Sequence, residues 1–240
     1  MDTLKRILGT SDTFDVAQLG KPNLEIDGIV SHGWDHFLRT YGFLVLRTSI
    51  RDAQLFQRCS GAYASNVFGC ASQDSKKRLQ HVDSKGVLRG WNRPSAAKEV
   101  YRLIPPLHAG ADSVPKVLHR DAARVYRRLR YVSHQCLRAL IRGRCGAREK
   151  GRSELYRAAS PLDIFHYHNN PEDAAAVSVS NLAPHTDPGY LTCIPVASTP
   201  GLAIRSPGLR RWCKVEADLE LQPFQHVIVF PGDALAPFLE

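Results

Sequence analysis

The chain has 240 residues, of which 43% are hydrophobic and 23% are charged, and its formal net charge is +9. These values are typical of a folded globular domain and argue against a disordered, fibrous or coiled-coil protein. No apolar run reaches the length of about 18 residues that spans a bilayer, and the first residues lack a secretory pattern, so we expect a cytoplasmic protein with no membrane partner.

The first part of the sequence predicts helices with short strands between them. Apolar spacing indicates a helix over Ile29–Leu38 that ends near Gly42, and the apolar run at 43–46 indicates a buried strand. Residues 51–80 again have a helical pattern. The stretch from 82 to 94 is rich in turn formers, and we expect loops there.

A strand is predicted at 99–103, followed by the longest helix of the chain at about 113–141, where apolar residues recur at steps of three or four. Arginines concentrate on this helix and just beyond it: Arg120, Arg124, Arg127, Arg128, Arg130, Arg142, Arg144, Arg148 and Arg152. Such a cluster can attract nucleic acid or an acidic partner. No nucleic-acid-binding motif accompanies it, so we interpret it as a solvated helix face and expect no nucleic acid partner.

The remaining sequence consists of short predicted strands separated by turn-forming residues. They lie at 162–167, 176–178, 190–196, 202–205, 212–215 and 226–230. Because no helical crossovers separate them, they favour a sandwich or jelly roll over a parallel sheet. The fold class is therefore α+β, with a largely helical region at 1–160 packed on a β-rich core at 161–240.

The cysteines are scattered along the chain, at Cys59, Cys70, Cys136, Cys145, Cys193 and Cys213. They form no Cys-x-x-Cys pair and no zinc-finger spacing. We expect reduced thiols, several of them buried as small apolar side chains.

The segment Pro184-His185-Thr186-Asp187-Pro188-Gly189 carries the strongest chemical signal. In an extended backbone, alternate side chains point to the same face, so His185 and Asp187 would converge. Pro188 favours this geometry, because a residue before proline is steered away from the α region. Imidazole and carboxylate ligands suit Fe(II), and with a second histidine they form the facial triad of non-haem iron oxygenases.

Along most of its length the chain resembles the isopenicillin N synthase-like dioxygenases. The matching pieces occur in the order of that family: Tyr41–Leu46, Lys76–Lys77, Arg89–Trp91, Lys98–Tyr101, Ser160–Tyr167, His185–Thr192, Pro200–Ile204, Trp212 with Val215, and Val229–Leu235. It is the shared order and spacing of the pieces that carries the resemblance.

The resemblance implies a double-stranded β-helix (jelly roll) with Fe(II) held by His185 and Asp187 and with 2-oxoglutarate as co-substrate. It implies an oxidoreductase that uses dioxygen to hydroxylate or otherwise oxidise a small molecule, with ascorbate as a candidate reductant. Tyr167 matches the tyrosine that can contact the co-substrate. Phe165 departs from the family, because plant members often carry asparagine there.

The family places its second histidine ligand, and then an Arg-x-Ser pair that binds 2-oxoglutarate, beyond the turn that Gly232-Asp233 resembles. The chain ends at Glu240 without either. We therefore expect a truncated family member whose last core strands are missing, with an aggregation-prone edge at Val227–Phe230. His226 precedes the turn and is not predicted to be a ligand.

Two alternatives stay open. His166 and His168 could join His185 in a different metal site, but we favour two exposed histidines that flank an inward-facing Tyr167. The chain could also be a catalytically inactive interaction protein that uses its arginine-rich helix.

Overall fold

The computed structural model describes residues 14–15, 38–69, 72–82, 86–95, 97–105, 116–144, 160–168 and 183–235. In chain order its elements are β1 (Phe14–Asp15), β2 (Leu44–Arg47), α1 (Ile50–Tyr63), a π-helical segment (Ala64–Phe68), α2 (Gln73–Lys77), β3 (Gln80–Val82), β4 (Leu88–Ser95), β5 (Lys98–Leu103), α3 (Lys116–Arg144), β6 (Leu162–Tyr167), β7 (Leu191–Pro195), β8 (Ala203–Ser206), β9 (Arg211–Lys214), α4 (Val215–Asp218) and β10 (His226–Pro231). The strands predicted at 162–167 and 226–230 are confirmed almost to the residue.

The described residues form two compact units. The first comprises the described parts of Met1–Phe56, Arg127–Arg152 and Thr186–Glu240, and the second those of Gln57–Tyr126 and Ser153–His185. The boundary predicted at residue 160 stays a prediction.

The first unit contains a four-stranded sheet in the order β1-β2-β10-β7 and a hairpin formed by β8 and β9. Strand β10 runs antiparallel to both β2 and β7, so its backbone is paired on both sides. Val227, Ile228 and Val229 are fully buried. The prediction of an exposed, aggregation-prone edge at 227–230 is therefore wrong, because a continuous apolar run is buried on both faces when its strand lies inside a sheet.

A buried carboxylate organises the chain before β8. Glu216, on α4, is 2% exposed. Its oxygens accept hydrogen bonds from the backbone N–H groups of Ala197, Gly201 and Leu202 at 2.9, 2.6 and 3.0 Å. These bonds satisfy backbone donors that no strand partner pairs, and they compensate the cost of burying the carboxylate.

The second unit contains an antiparallel sheet in the order β3-β4-β5-β6. Strand β4 lies in the stretch from 82 to 94 where loops were predicted, so that prediction is wrong. Gly90 explains the difference: its φ is +75°, and a Cβ there would lie 1.9 Å from the Leu79 carbonyl oxygen. In the sequence, glycine and proline suggested turns. In the structure Gly90 allows two backbone segments to approach closely within the sheet. The pairing of β4 with β5 shifts register between Asn92 and Ser95.

One face of this sheet is deeply buried. Tyr101 contacts Tyr63 of α1, with ring centroids 5.2 Å apart. Beside them the Lys76 ammonium lies 3.0 and 3.1 Å from the two carboxylate oxygens of Glu99. Both side chains are almost completely inaccessible to solvent, which makes this a buried ion pair.

The long predicted helix is confirmed as α3. Its apolar stripe is buried as expected, at Leu118, Ala122, Val125, Leu129, Val132, Cys136, Leu137 and Leu140. Arg120, Arg124 and Arg127 lie on the exposed side, which agrees with a solvated face. Within the described ranges no helix is both long enough and apolar enough to cross a membrane.

Some predictions fall elsewhere. The strand at 176–178, most of the helix at Ile29–Leu38, Cys70 and Cys145 lie outside the described residues. The other four cysteines are free thiols, as expected.

Candidate metal centre

Residues 185–190, called the metal loop below, connect directly into β7. His185 is exposed and Asp187 is half-buried. The segment contains a proline and a glycine and has no regular secondary structure, so its shape depends on individual hydrogen bonds.

His185 has a defined tautomer. Its Nδ1 lies 2.9 Å from the carbonyl oxygen of Ala183. A carbonyl only accepts, so Nδ1 must carry the hydrogen, and in the neutral ring the lone pair then lies on Nε2. Metal-bound histidines typically have this arrangement, because the second hydrogen bond fixes the ring and makes the ligand nitrogen more basic.

Asp187 is oriented by its neighbour on β7. The Thr192 hydroxyl donates to Asp187 Oδ2 at 2.5 Å. Carboxylates that bind a metal are typically hydrogen-bonded in this way. Both candidate ligands thus have one polar atom occupied by a supporting hydrogen bond.

The turn at 232–235, called the glycine turn below, holds the metal loop in place. Asp233 N–H donates to the Asp187 carbonyl at 2.8 Å, and Gly232 N–H donates to the Tyr190 carbonyl at 3.0 Å. The Thr186 hydroxyl donates to Asp233 Oδ2 at 2.8 Å. A Cβ on Gly232 would lie 2.2 Å from the Gly189 oxygen and 2.5 Å from the Asp187 oxygen, so only glycine fits.

Sequence reasoning named Gly232-Asp233 and Thr192 as parts of motifs but did not predict these contacts. The signal that could have found them is the Gly-Asp pair directly after an apolar strand, since such a turn ends at a sheet edge where backbone groups need partners.

No third ligand joins the pair within the described residues, where no group of three or more histidines, cysteines, aspartates and glutamates could hold a metal. His226 lies at the opposite end of β10 from the glycine turn, about 20 Å from Gly232 at the usual rise per residue. That His226 is not a ligand stays a prediction.

The alternative site at His166 and His168 gains no support from the described residues. The two rings meet edge to face at 4.8 Å, and His166 stacks on Phe68 at 5.2 Å. His168 Nε2 lies 3.6 Å from Glu99. The histidines are therefore half-buried, whereas Tyr167 is 39% exposed, so the expectation of exposed histidines around an inward Tyr167 is wrong. The buried ion pair explains this, because Glu99 attracts the polar rings to its own face.

The donor types fit part of an iron site. Taken one at a time, the imidazole of His185 and the carboxylate of Asp187 are donor types that the facial triad uses, and each accompanies a hydrogen bond of the kind that supports metal ligands. The third position would need a residue other than those described.

A comparison with family models and one with curated proteins give no match. Solved structures do match. A full-length Neurospora crassa protein in complex with alpha-KG has a TM-score of 0.69 at 16% identity, over 94% of this chain and 72% of that one. A Caulobacter crescentus protein described as 2OG-Fe(II) oxygenase family has 0.68 at 19% identity, over 93% and 74%. The dioxygenase for auxin oxidation 1 of Arabidopsis thaliana, in complex with 2-oxoglutarate, has 0.62 at 16% identity, over 93% and 80%.

These likenesses show the fold. The chain shares the fold of these three proteins, with the mixture of helices and sheets that the sequence predicted. Closure of the strands into a double-stranded β-helix stays a prediction.

Proposed function

We propose that this chain is a non-haem Fe(II)- and 2-oxoglutarate-dependent oxygenase that acts on a small molecule. The observation that carries the proposal is the pair of supporting hydrogen bonds at the metal loop. Each bond holds one polar atom of a candidate ligand, as is typical of metal-bound histidines and carboxylates, and this supports the proposed roles of His185 and Asp187. The shared fold supports the same function.

In this proposal His185 and Asp187 would hold the iron. When bound, the iron and 2-oxoglutarate activate dioxygen, and the oxidation of the co-substrate drives the oxidation of the prime substrate. The chain's own residues hold the ligands in place: Thr192 fixes the carboxylate, and the glycine turn fixes the loop. Ascorbate would serve as reductant.

Tyr167 is proposed to contact the co-substrate. Burial raises the pKa of its hydroxyl above the ordinary value, so the phenol is neutral at pH 7 and can donate a hydrogen bond to a carboxylate. The substrate class follows the structural neighbours: the Neurospora crassa protein was crystallised with thymine and with 5-formyluracil, and the Arabidopsis thaliana protein is named for auxin oxidation. A small substrate is the common feature.

Three further parts of the proposal concern architecture and location. The sheet containing β7 and β10 and the hairpin of β8 and β9 belong to a double-stranded β-helix. The chain divides functionally at residue 160 into a supporting region and the oxygenase core. The protein works in the cytoplasm.

Metal binding tests the proposal. Equilibrium dialysis of the full chain against Fe(II) under argon, with 2-oxoglutarate present, should give about one iron per chain, and assays in air should give succinate. His185→Ala and Asp187→Ala should abolish both signals. Thr192→Val should weaken iron binding about 10–100-fold, because it removes the supporting hydrogen bond, whereas Thr192→Ser should retain it.

His81→Ala is the matched control, because His81 is an exposed histidine on β3. Its iron content should equal that of the unchanged chain. Iron that remains after His185→Ala, or that is lost equally after His81→Ala, would refute the assignment.

A catalytically inactive interaction protein is the second candidate. The lack of a third ligand within the described residues favours it. It predicts no succinate and no iron-dependent binding of 2-oxoglutarate, together with salt-sensitive binding of an acidic partner to the arginine-rich helix.

A further inference from the structure

Two aromatic rings lie side by side on the open face of the second unit's sheet. Phe165 and Tyr167 are two positions apart on β6, so their side chains project from the same face of the sheet. Their rings stack with centroids 6.0 Å apart and an interplanar angle of 25°. Phe165 is 44% exposed and Tyr167 is 39% exposed. The two neighbouring rings therefore present apolar surface to solvent on this face of the sheet.

The Lys98 ammonium lies above one of these two rings. Lys98 lies directly opposite Tyr167 in the pairing of β5 with β6. Its ammonium is 5.1 Å from the centre of the Phe165 ring. The charge is therefore held above the Phe165 ring by a cation–π contact.

The charge of Lys98 is not neutralised by a carboxylate in the described part of the chain. Arg102, on the same strand and the same face, differs: it binds both oxygens of Asp163 at 2.8 and 2.6 Å. The Asp163 carboxylate compensates Arg102 and not Lys98. An anion placed beside Lys98 would thus gain a charge interaction that the protein itself does not supply.

The combination selects for ligand chemistry. A planar ring can stack on Phe165 and Tyr167 with the offset geometry that aromatic pairs prefer. A carboxylate on that ring can reach Lys98.

We propose that this surface, defined by Lys98, Phe165 and Tyr167 and called the aromatic face below, binds a small planar aromatic carboxylate. The inference rests on the proposed function for regarding that ligand as the molecule to be oxidised. Binding to the aromatic face needs no iron, so it can be measured separately.

Calorimetric titration of the iron-free full chain tests the inference with matched probes. Phenylacetate carries both the ring and the carboxylate, cyclohexylacetate lacks the aromatic ring, and phenylethylamine reverses the charge. Phenylacetate should bind at least tenfold more tightly than either. Lys98→Gln and Phe165→Leu should each weaken phenylacetate binding tenfold or more, and Lys98→Glu should reverse the preference toward phenylethylamine.

Lys77→Gln is the control, because Lys77 is an exposed lysine in the same unit that pairs with Asp74 on α2. It should bind phenylacetate like the unchanged chain. Circular dichroism identifies any variant that does not fold. If Phe165→Leu does not fold, Lys98→Glu decides the test, because it reverses the charge and keeps both aromatic rings.

Three results would overturn the inference. The first is that the unchanged chain does not bind phenylacetate, and the second is that Lys98→Gln and Phe165→Leu bind phenylacetate as tightly as the unchanged chain. The third is that Lys98→Gln binds 2-oxoglutarate more weakly while its phenylacetate binding is unaltered. The last result would assign the aromatic face to the co-substrate. Phenylacetate binding at the aromatic face without succinate formation would contradict the proposed function, and it would support the binding site while removing the reason to regard its ligand as the molecule to be oxidised.

Discussion

The metal loop and the sheet of the second unit are stabilised in opposite ways. The loop is largely exposed and is held by hydrogen bonds to the glycine turn and to Thr192. The sheet buries one face, with the Lys76–Glu99 ion pair enclosed in it. The difference teaches that ligand position and fold stability depend on different residues here, because short polar contacts fix geometry while burial supplies most of the free energy.

The largest expected effect is on stability, at the buried ion pair. Glu99→Gln removes the negative charge and leaves the Lys76 ammonium buried without compensation, which should lower the free energy of unfolding by about 3–5 kcal/mol. Urea denaturation measures this change. Iron affinity of the folded fraction should not change.

The double variant Lys76→Met/Glu99→Met provides the control. It removes both charges, so it should recover most of the lost stability. If the double variant were as unstable as Glu99→Gln, the uncompensated charge of Lys76 would not be the cause of the lost stability. The buried ion pair would then not distinguish the sheet from the metal loop.

The next effect concerns the glycine turn. Gly232→Ala places a Cβ against the carbonyl oxygens of Gly189 and Asp187, so the metal loop must move. We expect iron binding to weaken at least tenfold, with a loss of about 1–3 kcal/mol in unfolding free energy. Dialysis and urea denaturation of the same sample measure both quantities.

Gly201→Ala is the matched comparison, because a Cβ at Gly201 meets no atom within 4 Å. It should bind iron normally. An iron affinity in Gly232→Ala equal to that of Gly201→Ala would show that the close approach of the backbones does not position the ligands.

The smallest effect is a pH dependence in the first unit. Burial, and after it the charge of Arg47, lower the pKa of His226 below its ordinary value of 6.5. The unfolded chain therefore binds a proton that the folded chain does not, so the contribution of His226 is nil above about pH 6.5 and becomes destabilising as the pH falls toward the folded-state pKa. His226→Gln should reduce the loss of stability between about pH 7 and 5.

His81→Gln serves as the reference for that slope, since His81 is exposed. His134 and His166 also have lowered pKa values, first through burial, so some slope should remain in His226→Gln. Thermal unfolding at a series of pH values resolves the difference. An unchanged slope in His226→Gln would show that His226 takes up its proton equally in both states.

Local periodicity predicted the elements whose own residues decide their structure. The helix at 113–141 and the strand at 162–167 were found because their apolar residues repeat at the right interval over many positions. Strand β4 was missed, because Gly90 and Pro94 suggest turns locally and only pairing with β5 makes them part of a sheet.

The candidate site shows the same division. His185 and Asp187 were predicted from a six-residue segment, together with their expected role. Their roles and the convergence of the two side chains stay predictions. The hydrogen bonds from Gly232 and Asp233 to the metal loop join residues more than 40 positions apart, and no local pattern predicts such contacts.

The arrangement around Glu216 has an evolutionary consequence. One carboxylate fixes the path of residues 197–202 through main-chain groups alone, so the identities of the intervening Ser198 and Thr199 contribute nothing to those three bonds. That stretch can drift in sequence without losing its course, provided that its length and the single acidic residue persist. Among related chains we therefore expect the spacing at this corner to be retained while the side chains of Ser198 and Thr199 vary.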